Sequence, residues 1–570
     1  MCFLTFRLKG TRHMQTASAS CSRSLRCNHL PRNVFLSAIL FHLFCFSWTS
    51  ASAQQRGVPS ESSVIVVPVV VDLTELALRE TAAPLGKPVG RAVPFKPMPP
   101  RPAVPAGMPV RKAVAPLPPA LNQASPLAPS PAPAASFIAL DDDDTIIPPD
   151  TQGTVGPNHL MVTLNRGVRI QDRLGTTLST VSLASFWTST GATGVFDPRV
   201  VYDPFNNRWI FTDASDAQSA ASSVLVGVSQ TSDPTGKWNL YRITADSGGL
   251  NWADFPSLGF NKDWVVVTVN MFGNVSGAFQ NSQSFVGTKS DLYAGNPATF
   301  RSFSDVTGGF AQAPATTYDN TLGTIYMVED WNGNFSGNGF LRISTITGTV
   351  GSEVYTAGTA FVSTPNPWAD FPPGGADFAP QKGTTNKIQN GDARMLKVVY
   401  RNGSLWGAHS AFLPATTPTR TAAQWWQFKS DGTVQQFGRV DDPTGVLFFA
   451  FPTIAVNAQN DALLGYSSFS ASQFPSADYS VRLASDPPNT MRSDVLLKAG
   501  EAIYFKTFGS GRNRWGDYSN TVVDPVNDLD MWTIQEYASS PNFPNGDNRW
   551  STWWGKITPQ KKRRGQLISP

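Results

Sequence analysis

The 570-residue sequence predicts an all-β fold, a single β-propeller, on three observations. Short β-branched and aromatic runs bounded by Gly, Asn, Asp and Pro recur across residues 136–557, as in Trp264-Val265-Val266-Val267-Thr268-Val269, while helical periodicity is scarce. That stretch of 422 residues is too long for one ordinary two-layer core, yet no linker divides it. A recurring phrase opens its strands: an acidic or polar residue, an aromatic or Pro, then a short apolar run ending near Asn or Asp. It starts at about residues 150, 197, 254, 312, 392, 450 and 517, a mean spacing of about 61 that suits four-stranded blades and predicts seven of them. Six or eight remain compatible, because the 80-residue interval after 312 has room for another.

Along the chain, basic residues from Arg7 to Arg32 precede an apolar run, Val34 to Trp48, and then Ala51-Ser52-Ala53. This predicts a secretory signal peptide over 1–53, with Met14 as an alternative start. The apolar run, about fifteen residues, is shorter than the ~20 that span a bilayer, so no transmembrane anchor is expected in the mature chain. All four cysteines lie in this leader, which leaves the body without a disulfide, a thiol nucleophile or a cysteine metal site.

Residues 54–135 are expected to form a largely disordered, proline-rich stalk, since 84–133 holds sixteen prolines and no acidic residue. Within it, the β-branched run Ser63 to Leu73 predicts a strand over 63–73. The propeller is expected over 136–557. Its closure would pair Ser136-Phe137-Ile138-Ala139-Leu140 with Thr552 to Ile557, and 558–570 is expected to be a disordered basic tail.

Charge sorts by region. The whole chain has 45 basic against 41 acidic residues, but the body has 27 against 37. A body of net charge −10 excludes a nucleic-acid-binding role, which needs a basic surface. Neither a G-x-S-x-G elbow nor a phosphate-binding glycine loop is present. Asp330-x-Asn332-x-Asn334 has calcium-loop spacing but puts Phe335 where the turn needs Gly, and it reads first as a polar loop. The run Asp141 to Asp144 reads as a solvated hinge, His159 as a turn residue and His409 as strand interior.

Three blocks carry a family resemblance: Ser232-Asp233-Pro234-Thr235-Gly236-Lys237-Trp238, the stretch from Asp254-Phe255-Pro256 to Asn270, and Trp515-Gly516-Asp517-Tyr518-Ser519 through Asp524-Pro525. They resemble secreted bacterial β-propeller proteins, a poorly characterised group distantly similar to sialidase-like propellers. Thr231-x-Asp233 followed by Gly236-x-Trp238 is similar to the Asp-box turn of sialidases, with one extra residue before the glycine and no Thr. The resemblance implies blade grammar, not a catalytic signature.

If the phrase opens the innermost strand of each blade, Asp150, Asp197, Asp254, Asp392 and Asp517 gather at one mouth of the central channel. Arg199 and Arg394, two residues after an Asp, share its strand face, and Tyr518 follows Asp517. Crowded carboxylates must hold arginines, bind a cation or keep a proton. The first of these makes the mouth architecture. The second admits calcium, although no cofactor is required. The third permits acid catalysis, with Trp425, Trp426 and Tyr518 available to stack on sugar rings.

The expected function is a secreted or cell-envelope propeller, extracellular or periplasmic, that binds a glycan or a surface protein without catalysis and is monomeric. The alternative is a polysaccharide-active glycoside hydrolase or lyase that uses the channel aspartates.

Overall fold

The structure, a computed structural model, describes residues 61–82, 90–104, 110–111, 128–541 and 548–559. The expected signal peptide, the basic run after 559 and the rest of the proline-rich stretch lie outside the described residues. Strand accounts for 52 % of residues and helix for 5 %, an all-β fold in a propeller arrangement.

The strands follow one another as antiparallel meanders, hydrogen-bonded in sequence order. Gln152–Val155, His159–Leu164, Gly167–Asp172 and Thr177–Ser182 form one such sheet. Phe196–Asp203, Arg208–Ser215, Ser223–Ser229 and Lys237–Thr244 form the next. Inner strands such as Phe196–Asp203 are buried along their whole length, because sheets pack on both of their faces. First strands of successive meanders lie side by side, and Asn520–Val523 returns to Gln152–Val155, which closes the ring. The closure is the one expected. Ala135–Asp141 completes the last sheet antiparallel to Arg549–Ile557, with Phe137 opposite Trp554.

The blade count differs from the seven expected. Five four- or five-stranded sheets stand as separate blades, while two further meanders, 251–305 and 395–440, are joined in one ten-stranded sheet. The joint is Thr316–Thr317, parallel to Phe260 on one side and to Val399 and Tyr400 on the other. Pro314, which has no N–H to donate, ends the two-residue strand Ala313–Pro314, and the chain beyond it turns to both neighbours.

The run 63–73, expected as one strand, forms two, broken at Val67-Pro68 and ended where Leu73 opens the helix Leu73–Ala82, and it lies on two outer edges. Glu61–Val66 pairs with Ala298–Asp305, and Val69–Asp72 with Lys237–Thr244, covering edges that would otherwise present unpaired backbone groups.

The proline-rich segment departs from the stalk expected of it over 90–104. Arg91–Ala92 pairs with Ile146–Ile147, and Val93 and Met98 are 3 % and 5 % exposed. An extended chain short of N–H groups can cross a packed surface without stranding donors, and this one crosses the channel mouth.

Candidate functional site: the channel mouth

A backbone device builds the mouth. Asp150, Asp197, Phe255, Ala311 and Phe451 have positive φ (52°, 61°, 54°, 51° and 56°) where first strands begin. At three of these starts the register slips by a residue, the signature of a β-bulge. The bulge turns a peptide N–H sideways to a side chain of the neighbouring sheet. Asp197 N–H donates to Asn165 Oδ1 (2.8 Å), Phe255 N–H to Asp197 Oδ2 (3.1 Å), and Ala311 N–H to Asn270 Oδ1 (2.8 Å). Asp517 N–H donates to Asp150 Oδ1 (2.9 Å), and Asn165 Nδ2 to Asp150 Oδ2 (2.6 Å). The aspartates thus stitch one sheet to the next.

All eight residues expected at the mouth come together there and are buried. Asp150 is 0 % exposed, Asp197 2 %, Arg199 6 %, Asp254 3 %, Asp392 4 %, Arg394 3 %, Asp517 7 % and Tyr518 2 %. Carboxylate oxygens of Asp150, Asp197 and Asp517 lie within 4.8 Å of one another.

The charges are partly closed on themselves. Arg394 grips Asp392 with two parallel hydrogen bonds of 2.7 Å, and Arg514 pairs with Asp517 at 2.9 Å. Burial, then the neighbouring carboxylates, hold Asp150 and Asp197 well above the usual carboxylate range, and Asp197 Oδ1 is buried with no hydrogen-bond partner. Burial pushes Asp254 up to about 7 against the pull of Arg394.

Asp197 and Arg199 do not pair as strand alternation predicts. The bulge at Asp197 breaks the period, and Arg199 instead lies 3.3 Å from the Tyr518 ring centre and donates from Nε to Pro256 O (3.1 Å). The Tyr518 hydroxyl donates to Pro198 O (2.9 Å). Trp425, Trp426 and Tyr518, candidates for stacking on sugars, are 0 %, 0 % and 2 % exposed and serve the core.

The segment 90–104 seals the mouth from outside. Met98 N–H donates to Asp392 Oδ2 (3.0 Å), Arg394 donates to Lys96 O (2.8 Å), and Arg514 donates to Val93 O (3.1 Å). Further along, Arg101 donates to Trp331 O (2.9 Å) and pairs with Glu329 (3.5 Å).

For calcium the donor set is short. Both Asp150 oxygens and Asp197 Oδ2 already accept N–H groups, and Asp517 Oδ1 takes Arg514, whereas calcium takes six to eight oxygens. At the expected calcium-like loop, Asn332 Oδ1 closes its own turn on Asn334 N–H (3.0 Å), and Asp330 is 0 % exposed.

The Asp141 to Asp144 run is not a solvated hinge. Lys506 holds Asp142 at 2.5 Å and also pairs with Asp144, and Arg166 holds Asp143 at 2.8 Å. His409 is interior as expected, whereas His159, expected in a turn, opens the strand His159–Leu164 and lies 3.9 Å from Asp233.

Sequence reasoning missed Asn165, the relay between Asp150 and Asp197, which no local signal marks. It also missed Lys397, which had a signal: one cation inside the strand Met395–Arg401, MLKVVYR, otherwise apolar up to its last residue.

No family model matches the sequence, and no curated protein matches it. Among solved structures, a protein of unknown function from Dyadobacter fermentans is 10 % identical, over 74 % of this chain and 98 % of that one, with a TM-score of 0.32. An α-L-arabinofuranosidase from Fusarium graminearum is 9 % identical, over 75 % of this chain and 98 % of that one, with a TM-score of 0.35. A Trypanosoma rangeli sialidase is 11 % identical, over 70 % of this chain and 59 % of that one, with a TM-score of 0.34. These are distant likenesses to propeller proteins and assign no substrate.

Proposed function

We propose that the chain is a secreted or envelope propeller that binds a glycan or a surface protein without catalysis, and that its aspartate ring is architecture. One observation carries this reading: all eight mouth residues are buried, and all but Asp254 are hydrogen-bonded to one another, to a neighbouring sheet or to 90–104. A glycosidase needs two carboxyl groups standing free on either side of a bond, and here a strand of the chain itself occupies that position. Export rests on the leader 1–53, and monomeric behaviour goes with the closed ring. No helix among the described residues is long and apolar enough to cross a membrane.

The hydrolase or lyase reading keeps one supporting observation. Burial and the neighbouring carboxylates raise Asp150 and Asp197, the direction a general acid needs, and they would serve as one if 90–104 moved aside. The test is a panel of plant, bacterial and sialylated polysaccharides, read for product release and for binding, with Asp197→Asn and Asp517→Asn in parallel. Binding without turnover in all three proteins is expected. Turnover that either substitution abolishes would make the protein an enzyme.

A further inference from the structure

The other end of the channel holds a cavity that the mouth does not use. Its volume is about 190 Å³, and its walls are the far ends of the first strands, including Val155, Val201, Tyr202, Val522 and Val523. Phe205, 40 % exposed, and Asp528 stand at its opening. Lys397 closes the inner end. Toward the mouth the same side chain borders only a narrow space of about 20 Å³, shared with Arg199 and Asn520.

We propose that this cavity binds a small organic carboxylate, with its anionic head on Lys397 and its apolar body against the valines. Size and lining point to an organic ligand. A water occupies about 30 Å³, and a dry apolar cavity of about 150 Å³ takes a benzene ring. An inorganic anion would leave the valine walls uncovered.

Charge selects the head group. Lys397 makes one hydrogen bond, to the neutral Asn520 Oδ1 (3.1 Å), and among the described residues no ion pair includes it. The carboxylate in the cavity wall, Asp528, is taken by Arg401. Thr316, also on the wall, has a hydroxyl with no hydrogen-bond partner. Lys397 is half-buried; an ammonium partly withdrawn from water without a counter-ion is costly, and an incoming carboxylate supplies one. Burial, then Arg199, bring Lys397 down to about 7, so the amine accepts a proton as an anion arrives.

The full chain is titrated with benzoate and, as a neutral isostere, benzyl alcohol, with binding followed by ligand-observed NMR. Benzoate is expected to bind at least about tenfold tighter than benzyl alcohol, a difference of about 1.4 kcal/mol. Lys397→Met should weaken benzoate by about tenfold or more and leave benzyl alcohol unchanged or improved. Val522→Phe fills the cavity while keeping the amine, and should abolish both. Equal affinity for the two ligands, benzoate binding unchanged by Lys397→Met or by Val522→Phe, or no binding of benzoate at millimolar concentration would each overturn the proposal.

Discussion

Replacing Asp197 separates architecture from chemistry at the mouth. Its Oδ2 accepts the Phe255 N–H at 3.1 Å, and its other oxygen, Oδ1, is buried with no hydrogen-bond partner. In Asp197→Asn the amide oxygen keeps the Phe255 bond while the NH2 group donates toward Asp150, so the stitch survives and the crowded pair loses one acid. In Asp197→Ala the buried Phe255 N–H is stranded, a loss of about 1–3 kcal/mol before any cavity cost. The Asn variant should therefore be the more stable of the two by about 2 kcal/mol.

The pH dependence carries a sign. Asp197 titrates higher in the folded than in the unfolded chain, so the native state keeps a proton that the unfolded state has released. Its contribution is then greatest at acid pH, and is lost as pH rises from about 4 toward the raised folded value, by about 1.4 kcal/mol per unit. Asp197→Asn removes that slope. The stability of the Asn variant relative to wild type should rise with pH, measured by urea denaturation from pH 5 to 8. A constant difference across that range, or an Asn variant less stable than the Ala variant, would refute the raised titration of Asp197 and its stitching role.

Other substitutions probe separate joints. Arg394→Met leaves Asp392 buried with only two backbone N–H donors, those of Met98 and of position 394, and should cost about 3–5 kcal/mol and make 90–104 a protease target, read by thermal melting and limited proteolysis. His409 Nε2 must accept from Trp426 Nε1 (3.0 Å), which can only donate, so the ring proton sits on Nδ1 toward Ser410 O (2.9 Å). Burial lowers its pKa to about 3, so nitrogen NMR should show a neutral Nδ1–H ring at pH 5. Its contribution to stability should fall by about 1.4 kcal/mol per unit as pH drops from 6.5 toward 3. Gly153→Ala would place a Cβ 2.8 Å from the Trp554 ring and 2.9 Å from Met161 O, a cost of about 1–3 kcal/mol in chemical denaturation.

How far the site was legible shows in particular residues. The repeated Asp phrase placed Asp150, Asp197, Asp254, Asp392 and Asp517 at one mouth, because each precedes or opens a first strand, although the turn varies: positive φ falls on Asp150 and Asp197 but on Phe255 beside Asp254. Arg394 grips Asp392 as expected, although both precede the strand Met395–Arg401 and strand period does not set the pair. Arg199 escapes strand period as well, since a positive φ at Asp197 inserts a bulge that no residue in Asp197-Pro198-Arg199 announces. Trp425 and Trp426 look equally fit for a binding face or a core, and only the packing of neighbouring sheets decides between them.

The sequence by itself determined what lies in nearest-neighbour chemistry: β-branched alternation, turn residues, the blade phrase and the strand that closes the ring. The tertiary structure alone decided what depends on residues hundreds of positions apart. Met98 meets Asp392 across 294 residues, Lys506 meets Asp142 across 364, and Thr316–Thr317 fuses two meanders into one sheet. Each of these contacts exists because ring closure brings distant first strands to a common axis, where buried N–H groups and charges must find partners whatever their distance along the chain.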